Sequence, residues 1–261
     1  MVGVGAFLQG CAVEDGGLAT TVPIEWRQGR TCSGGLSAAL AFTAAQGVAG
    51  DLPPLRTATF VFISPLVGAI RARASLARRG RSTAFVDAEI SGSSGVGLKA
   101  GFVFISERDS AIRRDDTRPP VATEPESSAP AFTHGGPDFA SNLDYRHAWP
   151  ELRPEMPDRL LWVRLRERDA GRFRLAPAAE LLLVADALPP AAEILHGERR
   201  LSSTITWMIN LLTANPTTID GWWLLRSHTQ HTAQGFSSQQ MAMWNRDGIC
   251  VAQGLQSVAV F

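Results

Sequence analysis

A glutamine interrupts the last strand-like run of this chain, and an aspartate closes its second apolar helix. In "DGICVAQGLQSVAVF", Asp247 to Phe261, alternation puts Gln256 on the face of Cys250, Ala252, Gly254, Val258 and Val260, whose other members are small and apolar. Such an amide has two donors and an acceptor to satisfy away from water. It is either a core amide bonded to neighbouring backbone or part of a site. Asp186 stands near the C-terminal end of "LAPAAELLLVADAL", where a carboxylate meets the unfavourable end of the helix dipole. It is either capped locally or held by partners from elsewhere. At the start of an earlier helix, in "SGGLSAALAFTAAQGVA", Gly34 and Gly35 leave unpaired N–H groups open to close approach by a ligand, although glycine there equally suits plain packing of helix on sheet. A carboxylate that takes a proton, an amide that fixes a water together with a hydroxyl, and helix-start N–H groups that receive an oxyanion suit attack of water on a carbonyl carbon.

The elements that must position these residues fall into two halves. From Glu107 to Gly136 the chain is crowded with charge, Pro, Ser and Gly and has no apolar period, which reads as a linker that is poorly ordered or lies on the surface. The expected organisation is an N-terminal half over 1–106, the linker over 107–136 and a C-terminal half over 137–261. In the first half "TVPIEWRQ" reads as a strand and "SGGLSAALAFTAAQGVA" as a buried helix with Ser33 as N-cap; "RTATFVFIS", "LVGAIRARASLARR", "RSTAFVDAEIS" and "VGLKAGFVFIS" read as strands. The second half repeats the order: "FASNLDYRHAW" and "RLLWVRLRER" as strands, the helix ending at Asp186, then "LSSTITWMINLL", "GWWLLRSHTQHTA", "GFSSQQMAMWN" and the closing strand. Two copies of one helix followed by about four antiparallel strands predict an α+β architecture in which each sheet wraps its own helix.

Composition narrows the partners. Lys and Arg total 25 against 25 Asp and Glu, so no overall positive field favours nucleic acid. Cys11, Cys32 and Cys250 are odd in number and far apart, with neither disulfide-framework nor zinc spacing, and are expected as reduced thiols in a cytoplasm. "MVGVGAFLQG" lacks a basic n-region, and no segment is apolar over the length of a bilayer span, so neither an export signal nor a membrane partner is expected.

Three stretches together resemble the acyl-CoA thioesterase II family, also called the TesB-like thioesterases, over nearly the whole chain outside the linker. "CSGGLSAAL" is similar to the family's F-G-G-x-x-x-x-x-A helix start. "TFVFISPLVGAIRARASLARRGRSTAFVDAEI" resembles its strand, proline turn and arginine-rich hairpin. "DGICVAQGLQ" matches its D-G-x-L-V-A-x-x-x-Q closing strand, the most specific of the three. The resemblance implies a double hotdog fold and a catalytic trio of a helix Asp, a strand hydroxyl and the closing-strand Gln, falling here on Asp186, Thr204 and Gln256. The chain departs from the family in having Thr206 two residues after the hydroxyl, where an Asp is common, and in a shorter loop between Pro190 and Thr204. Simple alternation puts Ser202 and Thr206 on the face of Thr204, so either is an alternative hydroxyl.

The resemblance further implies hydrolysis of a fatty or related acyl-CoA to the free acid and CoA, without metal or bound cofactor, with Gly34 and Gly35 as the oxyanion or substrate-binding pair. The first helix has Phe42 near the place of Asp186, and the second has Ala178 and Ala179 in place of the glycines, so one competent site per chain is expected. Strands such as "AFVDAEI", apolar on both faces, predict a homo-oligomer, a dimer or higher. The alternatives are a non-catalytic acyl-binding hotdog protein and a hotdog enoyl-CoA hydratase, for which no histidine stands beside an Asp in the second helix. His134 in "FTHGG" lacks a G-x-S-x-G partner, "GSSGVG" reads as a turn, and alternation places His228 and His231 on opposite strand faces, against a shared metal.

Overall fold

The computed structural model describes residues 3–14, 16–131, 136–151, 156–166, 174–196 and 201–261; His134 lies outside them. The N-terminal half opens with a short helix α1 (Val4–Gln9), whose Val4 and Leu8, one turn apart, both enter the core. Strands β1 (Ala12–Glu14) and β2 (Gly17–Thr21) follow. The strand expected in "TVPIEWRQ" gives way after Thr21: Pro23 has no N–H for a ladder, and a 3-10 turn over Ile24–Trp26 buries Trp26 instead. A two-stranded ribbon, β3 (Arg27–Gln28) and β4 (Thr31–Cys32), leads into α2 (Gly34–Gln46). Four long strands complete the half: β5 (Leu55–Phe62), β6 (Ala69–Arg79), β7 (Thr83–Gly92) and β8 (Gly95–Ile105). The C-terminal half runs β9 (Leu143–His147), β10 (Asp158–Leu165), α3 (Pro177–Ala185), β11 (Ser202–Leu211), β12 (Trp223–Ala233), β13 (Phe236–Trp244) and β14 (Cys250–Val260).

Among the described residues these strands form one antiparallel 12-stranded sheet, ordered β1-β2-β6-β7-β8-β5-β11-β14-β13-β12-β10-β9. Outward from the centre, β5, β8, β7, β6 and β2 are answered by β11, β14, β13, β12 and β10, so both halves present the same order. This is the expected α+β double hotdog. The two sheets, one per helix, are fused through the β5–β11 ladder, where Phe60 stands opposite Trp207 with ring centroids 5.0 Å apart. Both helices lie against the inner face and pack on each other. Because α2 is enclosed on every side it shows no amphipathic stripe: Leu36, Ala38, Ala39, Leu40, Ala41 and Phe42 are all buried, and its Ser37 and Thr43 hydroxyls donate to the Ser33 and Ala39 carbonyls.

The segment expected as a linker leaves the N-terminal half with Arg108 bonded to Ser82, and from Thr117 it runs on the surface across the outer face of the C-terminal half. There it covers a second apolar cluster that includes Leu160, Trp162, Leu224 and Trp244. Trp244 Nε1 donates to the Thr117 carbonyl at 2.6 Å and Trp162 Nε1 to that of Thr123 at 2.7 Å, while Arg246 pairs with Glu124 and Glu126 at 3.0 and 2.7 Å. Indole donors thus fix a strap that has no regular secondary structure over most of its length.

Candidate active site

Helix α3 starts with Pro177, where a missing N–H costs nothing, and stops at Asp186; three residues farther on, Pro189 and Pro190 bar its continuation. The start of α2 meets this end. A Cβ on Gly34 would stand 2.3 Å from Asp186 Oδ2, and one on Gly35 would stand 2.3 Å from the Leu183 carbonyl oxygen, so only glycines allow the two helix ends to touch. Ser33 occupies the N-cap position but makes no side-chain capping bond; the Gly35 N–H is hydrogen-bonded to the Asp186 carboxylate instead. The positive end of α2 therefore answers the charge that α3 places at its own unfavourable end. Burial outweighs this bond and that of Gln256, and the Asp186 carboxyl is pushed up to about 7.

Gln256 is 3% exposed and donates from Nε2 to Asp186 Oδ1 at 2.8 Å. Its Oε1 accepts from Gln239 Nε2 at 2.7 Å, and Gln239 Oε1 accepts from the Ala191 N–H at 3.0 Å. Sequence reasoning missed Gln239: it shares a β13 face with Met241 and Met243 but also with Ser237, so the face is not uniformly apolar.

A β-bulge changes which hydroxyls of β11 face inward. Ile205 is an extra residue in β11, so Thr204 pairs with Val258 and Thr206 with Ser257. Thr204 stays on the inner face, whereas Thr206 is turned outward and exposed and Trp207 takes the next inward position, opposite Gln256. Thr206 is thus removed from the face that simple alternation gave it. Ser202 remains inside, donating to Glu193 Oε1 at 2.9 Å, while Thr204 Oγ1 has no hydrogen bond to the described residues. A second bulge, at Gln230, corrects the histidines: His228 pairs with Gln240 and His231 with Ser238, which brings both to one outer face. Among the described residues no group of three or more His, Cys, Asp or Glu is arranged to hold a metal ion.

Asp186, Thr204 and Gln256 line one cavity of about 250 Å³, with Tyr145, Arg159, Glu193 and Ser202 also on its wall. Gly34 and Gly35 are not on that wall; Asp186 stands against them. The Tyr145 hydroxyl donates to the Ala187 carbonyl at 3.2 Å, and burial and the nearby Asp186 charge keep it protonated by raising its pKa. The strand registers show what the other half carries at matching positions. With Phe60 matched to Trp207, Ala58 answers Thr204, Ala88 answers Gln239 and Ala100 answers Gln256. Thr204, Gln239 and Gln256 thus each have an alanine counterpart.

The family profile for the acyl-CoA thioesterase N-terminal domain matches residues 22–105, and that for the acyl-CoA thioesterase C-terminal domain matches residues 115–260. The chain belongs to the acyl-CoA thioesterase family. Among solved structures, this thioesterase-family chain is similar to a conserved protein of unknown function with a hot dog fold from Alicyclobacillus acidocaldarius (TM-score 0.85, 17% identity, covering 100% of this chain and 99% of that one). It is similar also to a tesB protein of Mycobacterium avium subsp. paratuberculosis (TM-score 0.79, 17% identity, 99% and 98% covered) and to the acyl-CoA thioesterase II TesB2 of Mycobacterium marinum (TM-score 0.77, 15% identity, 99% and 98% covered). At these identities the likeness concerns the fold. A search of curated protein sequences found no match. No helix among the described residues is long and apolar enough to cross a membrane.

Proposed function

We propose that this chain hydrolyses a fatty or related acyl-CoA thioester with a water held by Asp186, Gln256 and Thr204. One arrangement carries the reading: a carboxylate pushed up to about 7 by burial accepts a 2.8 Å bond from a buried amide at the wall of a cavity where the Thr204 hydroxyl has no hydrogen bond to the described residues. Asp186 takes a proton from the water as its oxygen adds to the thioester carbonyl carbon. The tetrahedral intermediate then expels the thiolate, which recovers that proton, leaving the free acid and CoA. The second N–H of Gln256 and the Thr204 hydroxyl orient the water. Gly34 and Gly35 are proposed to act chiefly through Asp186, by bringing the α2 start against it. No histidine lines the cavity among the described residues, which favours hydrolysis over a hydratase reaction. Thiol release by the purified chain, assayed across acyl-CoAs of graded length, tests the proposal: release from at least one class supports it, and none from any overturns it.

Thr204→Val removes one hydrogen bond to the water and is expected to lower kcat roughly tenfold, with Thr206→Val unchanged. Equal losses in the two variants, compared in one assay, would show that the bulge does not decide the hydroxyl.

Three buried free cysteines support the cytoplasm as the proposed site of action. We also propose a homo-oligomer. The strap from Thr117 covers an apolar cluster on the outer face of the C-terminal half, but near the join Met208 faces Leu255 across the ladder with Val61 diagonal to it, and all three are more than 40% exposed. Light scattering at micromolar concentration should give a dimer or larger; a monomer would contradict the proposal.

A further inference from the structure

We propose that Gln239, which does not line the cavity, is a positioning residue that fixes the direction of the Gln256 amide and so holds Asp186 as a hydrogen-bond acceptor. The inference rests on the reading of Asp186 as the base. It follows from a chain of bonds whose direction is set at one end. The Ala191 N–H, in the 3-10 turn Ala191–His196 that follows Pro189 and Pro190, can only donate. Gln239 must therefore turn Oε1 toward it, which leaves Nε2, a donor, facing Gln256 at 2.7 Å. Gln256 must answer with Oε1, which leaves its own Nε2 facing Asp186 Oδ1 at 2.8 Å. Reversing any link sets N–H against N–H or oxygen against oxygen. A backbone amide cannot flip as a side-chain amide can, so the whole sequence has one polarity, and its last member is a carboxylate oxygen that accepts.

The fold does not require an amide at this position. Gln239 is 1% exposed, and burying a polar group has a cost unless its bonds are made. In the other half the matching residue is Ala88, beside Ala100 in place of Gln256, and that sheet wraps its helix equally well. Gln239 accompanies Gln256, and both are replaced together.

Two variants test this, with kcat and KM for an acyl-CoA that the wild type hydrolyses measured from pH 5 to 9. Gln239→Met keeps the volume but removes both links, leaving the Gln256 amide free to turn. The inference expects kcat to fall roughly tenfold or more with KM changed less than about threefold. The acid limb should also move to higher pH, since the Gln256 bond is one of the two that lower the Asp186 pKa. In Gln239→Glu the side chain accepts from Ala191 and donates to Gln256 only while protonated. Its ionisation forces Gln256 to turn Nε2 away from Asp186, so activity should decline toward pH 9 where the wild type holds a plateau. Circular dichroism and melting temperature establish that each variant is folded. A folded Gln239→Met with wild-type kcat and acid limb, or a Gln239→Glu with a wild-type plateau, would overturn the inference. Inactive wild-type protein would overturn the thioesterase reading beneath it.

Discussion

Gln256→Ala is expected to lower thioester hydrolysis by a hundredfold or more, the scale seen when a positioned proton acceptor or oxyanion donor is lost. The variant removes the bond to Asp186 Oδ1 and one orienting contact to water, and it leaves the Gln239 Nε2 donor without its acceptor. That orphaned buried donor costs about 1 to 3 kcal/mol, so the melting temperature should fall by several degrees while the fold is kept. The two readouts separate two roles. A catalytic glutamine loses activity per folded molecule far out of proportion to the loss of stability. A glutamine that only satisfies the core gives a destabilised protein with near-normal turnover, and that result would refute the assignment.

Asp186→Asn should show an equally large loss of activity, about 10²- to 10⁴-fold, because the amide cannot take the proton of the attacking water. Its stability should change in the opposite sense at alkaline pH. The folded-state pKa of Asp186 is raised from 3.8 to about 7, so the folded chain holds this proton more tightly than the unfolded chain does. The associated stability is fully present below about pH 4, is lost as pH rises through the window from 4 to 7, and amounts to ~4 kcal/mol at most. The amide that replaces the carboxyl in the variant does not titrate. The melting temperature of Asp186→Asn relative to wild type should therefore climb between pH 5 and pH 8. A difference that stays constant, or shrinks, would show that the carboxylate is not held in a costly ionised state.

The parts of this picture visible in the sequence are those written in local periodicity. The Ala- and Leu-rich run of α2 and the run of α3 up to Asp186 mark buried helices, and Gln256 stands out because its strand face is otherwise small and apolar. Gln239 does not stand out because "SSQQ" makes both faces of β13 polar at that end, so alternation gives no contrast. The bulges at Ile205 and Gln230 escape for a different reason: one extra residue reverses every later face, and neither residue type marks the insertion. Thr206 and the two histidines were misplaced by that slip alone. Two further features, the β5–β11 join and the strap held by Trp162 and Trp244, depend on partners far away in sequence, which no window of residues contains.

Asp186, poised near neutrality, is proposed as the base that activates water. The pH dependence of kcat/KM for the wild-type chain between pH 5 and pH 9, with an acyl-CoA it hydrolyses, tests this most directly. Activity should rise with pH through an apparent pKa near 7, as the carboxylate ionises, and then level off. A profile that is flat across the range, or that falls as pH rises through 7, would contradict the account.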